Sequence, residues 1–500
     1  MVENSTPIRE ADACIVARYD VAKRAKNREK SQDMNKGYKA IYARYRQDIL
    51  SGLLKPGDRV PSIRVLAAEL KVARQTVESA YAILTGEGYL VSQGAKGTRV
   101  NPDLVISPRA PEPAPVRHED ENLLMLTELR DNEGALRLGI PALDAFVLKK
   151  WLLLSGKAAR SLRPHEMTHQ PLMGYAPLRQ ALASYLNIAR GLNCTPDQIF
   201  ITSGYRTNLR LILQALSRPA DKVVMEDPGY FFGQKLLKRV APQLHYAPVD
   251  EQGLDVAWFR QHHRDARIVL VTPTHHSPLA VTLSLPRRHE LLAWAKENDG
   301  WIIEDDYDGE FHFTKKVIPA LKSLDRDDRV IYIGTFSKTI MPALRIGYIV
   351  MPKETIPRFQ ETGEILESGQ PLLSQKILTL FLSGGEFFRH IKKMRTLYHQ
   401  RRGMVTAALM ARYPDLFSIE LTDGGMHIVA FLRRGTQDVR LAEIWQQHGL
   451  RVLPLSAWYA GQKKRYGLVI GYTNVRSSEQ AAALLAKPYE QTLALFARER

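Results

Sequence analysis

The middle of the chain alternates helical stretches with short runs of β-forming residues. Apolar residues recur at helical spacing over 177–190 and 205–217. The β-rich runs lie at 199–202, 222–225, 267–271, 301–305 and 330–333. This alternation is typical of an α/β domain, because parallel strands need long crossover connections, which are usually helices. The sequence therefore predicts a mainly parallel sheet covered by helices.

Residues 37–101 follow a different pattern. Apolar positions recur at helical spacing from Tyr38, Ser62 is a natural N-cap for a second helix, and Arg74 opens a third. The segment 89–100 reads as two short strands around a glycine-containing turn with a basic tip. Two short helices with a tight break between them, followed by a hairpin, predict a winged helix-turn-helix.

The remaining segments set the domain boundaries. Residues 1–36 are polar and basic, and we predict a mobile arm there. Residues 102–134 contain five closely spaced prolines among charged residues, which predicts an extended linker. The α/β domain then occupies residues 135–495. Two domains are expected in any case, because 500 residues exceed what one hydrophobic core usually organises.

The charge of the chain indicates a nucleic-acid partner. The net charge is +17, and residues 1–100 hold 18 Lys and Arg against 11 Asp and Glu. A basic surface without a partner is the alternative, since charge also serves solubility. Only Cys14 and Cys194 are present, which excludes a disulfide framework and a cysteine-based zinc site, and we predict no metal centre. With no apolar run long enough for a membrane span, a cytoplasmic protein is expected.

Polar and cationic side chains cluster where a helix-turn-helix meets double-stranded DNA. The start of the third helix should contact base edges, since Arg pairs with guanine and Gln with adenine. The start of the second helix should contact phosphates, and the tip of the wing should reach the minor groove or the backbone. The predicted contacts are Arg74, Gln75 and Thr76 on the third helix, Ser62 and Arg64 on the second, and Lys96 on the wing.

A family resemblance supports this prediction. The stretch "IYARYRQDILSGLLKPGDRVPSIRVLAAELKVARQTVESAYAILTGEGYLVSQGAKGTRV" resembles the winged-helix domain of GntR-family repressors along its whole length. The resemblance implies that Arg64, the start of the third helix and the wing from Gly94 to Gly97 contact DNA. GntR domains often carry Asn where this chain has Gln75, so no operator sequence is implied.

The α/β domain carries a set of residues suited to pyridoxal phosphate. Asp305 and Tyr307 follow an apolar strand, and Lys338 lies in a small-residue turn after the next one, with Arg345 seven positions later. This cofactor needs a lysine for the Schiff base, a carboxylate for the pyridine nitrogen and a phenol for the ring oxygen. An arginine with hydroxyl and backbone donors holds its phosphate.

These motifs have a recognisable order along the chain. With "MGYAPLRQALASYLNIARG", "ITSGYRTNL", "EDPGYF" and "TPTHHSPLAVTLS", they resemble a fold-type I aminotransferase domain with a smaller C-terminal α+β subdomain. The segments "IIEDDYDGEF" and "IGTFSKTIMPALRIGY" are similar to the corresponding motifs of the MocR/GabR subfamily of GntR regulators. The resemblance implies a mixed α/β fold and a winged helix fused to a domain that binds pyridoxal 5'-phosphate.

The resemblance also implies roles for individual residues. Lys338 would be the catalytic, aldimine-forming lysine, Asp305 the partner of the pyridine nitrogen, Tyr307 the partner of the ring oxygen, and Arg345 the phosphate ligand. The further cofactor contacts implied are Thr335, Ser337, the amides of Tyr205 and Arg206, Tyr230 as a lid, and His276. For His276 the alternative is a position on the loop surface without cofactor contact.

One departure from the family bears on function. Aminotransferases place an arginine for the substrate carboxylate in a strand resembling "YGLVIGYTN", where this chain has Leu468 and Val469. Without that charge the substrate would not be oriented for transamination. We therefore expect a regulator that senses an amine, an amino acid or the cofactor itself, and the resemblance to fold-type I domains implies a homodimer. The alternatives are an active aminotransferase with a DNA-binding appendage and a regulator that has lost cofactor binding.

Overall fold

The computed structural model describes residues 37–94, 97–104, 134–241, 243–314, 319–367, 369–461 and 463–497. It divides into two compact units, Met1–Glu119 and Asp120–Arg500. The predicted arm, most of the predicted linker and Lys96 lie outside the described residues. None of the described helices combines the length and apolar composition that crossing a bilayer requires.

The first unit contains the three helices and the hairpin that the sequence predicts. Its elements are α1 (Tyr38–Leu50), α2 (Ile63–Leu70), α3 (Arg74–Gly86), β1 (Leu90–Ser92) and β2 (Thr98–Val100). The two strands pair antiparallel. Tyr45, Val77 and Leu84 are among its fully buried side chains. Leu50, the last residue of α1, is 44% exposed.

The second unit is built around an eight-stranded sheet. Its strands are β3 (Ile199–Thr202), β4 (Lys222–Asp227), β5 (Gln243–Asp250), β6 (Gly253–Leu254), β7 (Ile268–Val271), β8 (Trp301–Asp306), β9 (Val330–Thr335) and β10 (Gly347–Val350). Their order across the sheet is β3-β10-β9-β8-β7-β4-β5-β6. Strands β9, β8, β7, β4 and β5 run parallel. This confirms the mainly parallel sheet, with β10 antiparallel to both of its neighbours.

Helices cover the sheet and build its surroundings. Before β7 they are α4 (Leu148–Arg160), α5 (Ala176–Arg190), α6 (Tyr205–Leu216), α7 (Phe231–Val240) and α8 (Val256–His262). After it follow α9 (Leu285–Glu297), α10 (Leu321–Leu324), α11 (Ile356–Leu366), α12 (Leu372–Ser383) and the long α13 (Glu386–Arg412). Two buried apolar clusters lie against the sheet, one containing Phe200 and Ile303 and the other Val269 and Ile302. Neighbouring residues of β8 thus enter opposite clusters, as strand geometry requires.

The C-terminal part forms the smaller subdomain. Its four-stranded antiparallel sheet contains β11 (Phe417–Ile419), β12 (His427–Leu432), β13 (Leu453–Pro454) and β14 (Gly467–Gly471). Helices α14 (Asp438–Gln447), α15 (Ser478–Ala486) and α16 (Tyr489–Ala497) complete it. In open α/β sheets ligands bind at the carboxyl ends of the strands. Strands β8 and β9 end at Asp306 and Thr335, beside the predicted site residues.

Candidate functional site

A cavity of about 350 Å³ collects nearly all of the predicted cofactor contacts. Residues from the ends of β8 and β9, the start of α6 and the C-terminal subdomain line it. The predicted residues on its wall are Tyr205, Arg206, Tyr230, Asp305, Tyr307, Thr335, Ser337, Lys338 and Arg345. Side chains separated by up to 140 positions in the sequence therefore meet in one place.

Asp305 is a buried carboxylate that faces the cavity. Its side chain belongs to β8 and is 7% exposed. No hydrogen bond to this carboxylate is formed by the described residues. Burial raises the pKa of Asp305 well above its usual range, with Asp306, Asp308 and Glu226 adding repulsion and Lys338 opposing them. Such a group is stabilised by a cationic or N–H partner.

The amine of Lys338 lies beside the backbone of Gly139. Its Nζ donates a hydrogen bond of 3.0 Å to the Gly139 carbonyl oxygen. Burial lowers the pKa of Lys338, while Asp308 and Asp305 raise it in part. A lowered pKa increases the fraction of neutral amine, which is the nucleophilic form.

The start of α6 faces the same cavity. Gly204 is the N-cap residue with φ 119°, and no side chain caps this helix end. The first amides of a helix have no intrahelical acceptor and carry the positive end of the helix dipole. Ser203 and Thr207 bind each other through their hydroxyl oxygens, 2.6 Å apart. The arrangement is suited to an anion such as a phosphate group.

Arg345 and the turn before it complete this anion-binding end. Arg345 has left-handed backbone geometry (φ 52°) directly after a 3₁₀ turn, Pro342–Leu344, and its side chain is exposed. The Ser337 amide donates to the Thr335 hydroxyl oxygen at 3.1 Å. Arg206 lies over the ring of Phe232, 4.8 Å from its centroid.

Aromatic rings surround Tyr230 at the edge of the cavity. Tyr230 precedes α7, and its ring meets Tyr205 edge-on with the centroids 5.2 Å apart. Trp458 lies on another side with a centroid distance of 6.1 Å. Burial raises the pKa of Tyr230 to about 12, so its hydroxyl stays protonated at neutral pH.

The loop of the two histidines differs from the sequence prediction. The structure does not bring His276 to the cavity wall, since its ring is 1% exposed and its Nε2 faces the Glu226 carboxylate at 3.6 Å. Burial lowers the pKa of His276 to about 3. The next residue, Ser277, lines the cavity instead.

His275 contacts the site through Tyr307. Its Nδ1 lies 3.1 Å from the Tyr307 hydroxyl and 3.2 Å from the Asp308 carboxylate. The Asp308 side chain is 1% exposed. The Nδ1 atom of this histidine therefore lies between a buried carboxylate and the phenol that the sequence assigns to the cofactor's ring oxygen.

Several lining residues were missed by the sequence analysis. Ser277, Met426, His427 and Trp458 all reach the cavity. His427 begins β12, and its Nε2 is 2.8 Å from the Pro278 carbonyl oxygen. The signal that could have found it is the pair of glycines before "MHIVAFL", which lets the chain turn into a strand beside the site.

The strand expected to hold a carboxylate-binding arginine is apolar. Leu468 and Val469 lie in β14 and are fully buried. Val469 packs in a cluster with Phe231, Leu453 and Trp458, all three of which line the cavity. This strand thus supports an apolar wall.

The predicted DNA contacts lie at the starts of α2 and α3. Ser62 caps α2, its hydroxyl oxygen accepting a hydrogen bond of 3.3 Å from the Val65 amide. Arg64, Arg74 and Gln75 are exposed, and Thr76 is half-buried. An uncapped helix start with exposed cationic and amide side chains suits a groove of DNA.

Arg59 is a further cationic residue beside the wing. It pairs with Arg99 of β2 in an isolated bridge. A Cβ atom built on Gly97, at the base of the wing, would lie 3.1 Å from the Arg59 Nε atom. This arginine was not predicted from the sequence because it lies outside the recognised helices.

Two protein families match the two units. The family of bacterial regulatory proteins of the gntR family matches residues 37–100, and the family of class I and II aminotransferases matches residues 149–468. The chain belongs to the MocR/GabR subfamily of GntR-family transcription regulators. It is a DNA-binding regulator with an aminotransferase-like domain.

Individual relatives agree with this assignment. The probable rhizopine catabolism regulatory protein MocR of Rhizobium meliloti is 32% identical over 88% of this chain and 90% of its own length. The pyridoxine biosynthesis transcriptional regulator PdxR of Corynebacterium glutamicum is 32% identical over 85% of this chain and 90% of its own. These names favour a regulator over an aminotransferase with a DNA-binding appendage.

A solved structure is similar to the second unit. The kynurenine aminotransferase of Pyrococcus horikoshii matches with a TM-score of 0.67 and 25% identity, covering 76% of this chain and 96% of that chain. The large, mainly parallel sheet and the smaller C-terminal subdomain are therefore those of fold-type I aminotransferases.

Proposed function

We propose that this regulator binds pyridoxal 5'-phosphate covalently at Lys338 and uses it to sense a small amine. The observation that carries the proposal is the meeting of the Lys338 amine, the Asp305 carboxylate, the Tyr307 phenol and the start of α6 around one cavity. The same chain carries a DNA-binding domain. A site of this chemistry in a transcription regulator is suited to sensing.

The residues present fit this cofactor. Asp305, a buried carboxylate to which none of the described residues donates a hydrogen bond, suits a protonated ring nitrogen. The uncapped start of α6 suits a phosphate, and Arg345 with the Thr335 and Ser337 hydroxyls lies on the same cavity. When bound, pyridoxal phosphate supplies an aldehyde that reacts with primary amines and a ring that accepts electrons.

Each residue then has a defined task. Asp305 would keep the ring nitrogen protonated, and the hydroxyl of Tyr307, whose position is supported by His275, would donate a hydrogen bond to the ring oxygen. Lys338 would supply the amine that reacts with the aldehyde, and burial lowers the pKa of this lysine, which increases the fraction in the neutral, nucleophilic form. The amides of Tyr205 and Arg206 and the Arg345 guanidinium would hold the phosphate, and Tyr230 would close the cavity edge against water.

DNA recognition is assigned to the first unit. Arg74, Gln75 and Thr76 would read base edges from the start of α3, and Ser62 and Arg64 would contact phosphates. We further infer a homodimer that reads repeated half-sites, since a two-fold protein matches a two-fold operator. An amine that binds one arrangement of this dimer more tightly than the other would change operator affinity. The change could not exceed the ratio of the amine's two affinities.

The cofactor assignment is tested by absorbance. The purified full-length protein with pyridoxal phosphate should show a visible band that borohydride fixes, and peptide mapping should place the label on Lys338. Lys338→Ala should remove the fixed label, whereas Lys353→Ala, an exposed lysine, should keep it. A protein without any such band would refute the cofactor assignment.

The DNA assignment is tested by affinity measurements over a range of salt concentrations. Arg74→Ala should cost about 1–3 kcal/mol on the operator. Arg64→Ala should lower the affinity for operator DNA and for random DNA alike. The slope of log affinity against log salt concentration should fall by about one, because one phosphate contact is lost. Equal behaviour of the two variants would argue against the assigned division of base and phosphate contacts.

A further inference from the structure

The cavity has an apolar wall in addition to its cofactor-binding groups. The wall consists of Leu138, Phe231, Met426, Leu453, Ala457 and Trp458. Behind it lies a buried apolar cluster that includes Val469 of β14 and Leu455. A ligand that contacts the wall therefore exchanges water for hydrocarbon.

The wall adjoins the reacting amine. Lys338 donates to the carbonyl oxygen of Gly139, and Gly139 directly follows Leu138 of the wall. A Cβ atom on Gly139 would lie only 2.4 Å from the Lys338 Nζ atom. An amine that reaches the cofactor at Lys338 consequently brings its own substituent next to the wall.

The charges around the cavity leave this wall without a cation. Of the described lining residues, Arg206, Lys338 and Arg345 are the basic ones besides His427. Arg345 belongs to the phosphate-binding end, the Arg206 guanidinium lies over the ring of Phe232, which is not one of the wall residues, and the lysine is the reacting group. Burial lowers the pKa of His427 to about 4, so it is neutral at pH 7, with its Nε2 engaged by the Pro278 carbonyl.

We propose that the effector is a primary amine with an apolar or aromatic body and without a carboxylate. This inference rests on the proposed cofactor-dependent sensing. A carboxylate placed against the wall would lose its hydration without gaining a cationic partner. An aromatic body instead packs on Trp458 and Phe231, where ring contacts add to the area that is buried.

The test compares two ligands that differ only in the carboxylate. The holoprotein, with its visible band established, is titrated with 2-phenylethylamine and separately with phenylalanine, and the spectral shift gives each half-saturation concentration. We expect the amine to act at a concentration at least about 100-fold lower, because an unpaired buried carboxylate is costly. Equal or better binding of phenylalanine would overturn the inference, as would a band that no amine shifts.

The two proposals fail in different ways. A protein without a borohydride-fixed label at Lys338 overturns both the cofactor assignment and the amine preference. An intact label together with preference for the amino acid overturns only the inference made from the wall. Operator affinity measured with each ligand gives a second readout that does not depend on the visible band.

A wall variant adds a test with a matched control. Trp458→Leu should keep the visible band and raise the half-saturation concentration for 2-phenylethylamine by about tenfold. Trp151→Leu changes a tryptophan that is also buried but packs against Phe381, away from the cavity, and should leave it unchanged. Equal effects of both variants would contradict the role of the wall, and the ligand comparison on the unaltered protein stands whether or not Trp458→Leu folds.

Discussion

Gly139→Ala is the substitution with the sharpest expected effect on the cofactor site. Gly139 has φ 67°, and an added Cβ atom would lie 2.4 Å from the Lys338 Nζ atom. An alanine in left-handed geometry costs roughly 1–2 kcal/mol in the free energy of unfolding. The amine must in addition move by about 1 Å to restore an ordinary contact distance, and a displacement of that size reduces reactivity by about 100-fold.

A second glycine separates strain from displacement of the lysine. Gly449 has φ 77°, but nothing lies within 4 Å of a Cβ atom placed there. Gly449→Ala should thus lower the unfolding free energy as Gly139→Ala does and leave cofactor binding unchanged. Calorimetry measures the first quantity, and the rate at which pyridoxal phosphate forms the borohydride-fixed label measures the second. Equal labelling rates in the two variants would refute the placement of Gly139 beside the lysine.

Three further predictions follow from buried groups. Leu84→Ala should remove about 2–5 kcal/mol from the unfolding free energy of the winged helix, measured by denaturant titration, whereas exposed Leu50→Ala should change little. Asp305→Asn should weaken pyridoxal phosphate binding by about 1.5–3 kcal/mol in an absorbance titration, because a charge-assisted hydrogen bond is lost. The pKa of His427 is about 4 in the fold and near 6.5 when unfolded, so its stabilisation is present above pH 6.5 and lost as the pH falls towards 4. His427→Gln should therefore reduce the stability lost between pH 7 and 5 by about 2 kcal/mol, and an unchanged pH profile would contradict this.

The strands and helices that could be predicted are those with a clear periodicity. The predicted β-run at 199–202 matches β3, and the run at 301–305 matches β8 to within one residue. Strand β10 was not singled out, although it is fully buried and pairs with two neighbours. It is as short as β3, but its first two residues lie inside the motif around Lys338, and an apolar run of four residues cannot be assigned by periodicity alone.

The site was predictable where residues are adjacent in sequence and not where the fold brings segments together. Lys338, Thr335 and Ser337 share one turn, so their common wall was expected. Trp458 and His427 come from the C-terminal subdomain, more than 85 positions from Lys338, and the only local signal is the pair of glycines before His427. His276 and Ser277 are neighbours, and only the path of the loop decides which of them lines the cavity.

The acidic run at the end of β8 shows how one carboxylate becomes available to a ligand. Side chains alternate along a strand, so Glu304 and Asp306 share one face and Asp305 takes the other. Glu304 accepts hydrogen bonds of 2.8 Å from the amides of Leu321 and Lys322. Asp306 forms a buried ion pair of 2.6 Å with Arg190.

The fold therefore provides partners for the carboxylates of Glu304 and Asp306. Asp305 faces the cavity, and none of the described residues donates a hydrogen bond to it. Composition alone would rank the three equally as candidate ligands. Strand alternation separates them, and the partners of Glu304 and Asp306 explain why a buried negative charge is tolerated there. Replacing Arg190 should consequently destabilise the fold, because the buried Asp306 carboxylate loses its partner. Replacing Asp305 should mainly affect cofactor binding. Asp306 is thus a structural carboxylate and Asp305 a binding one.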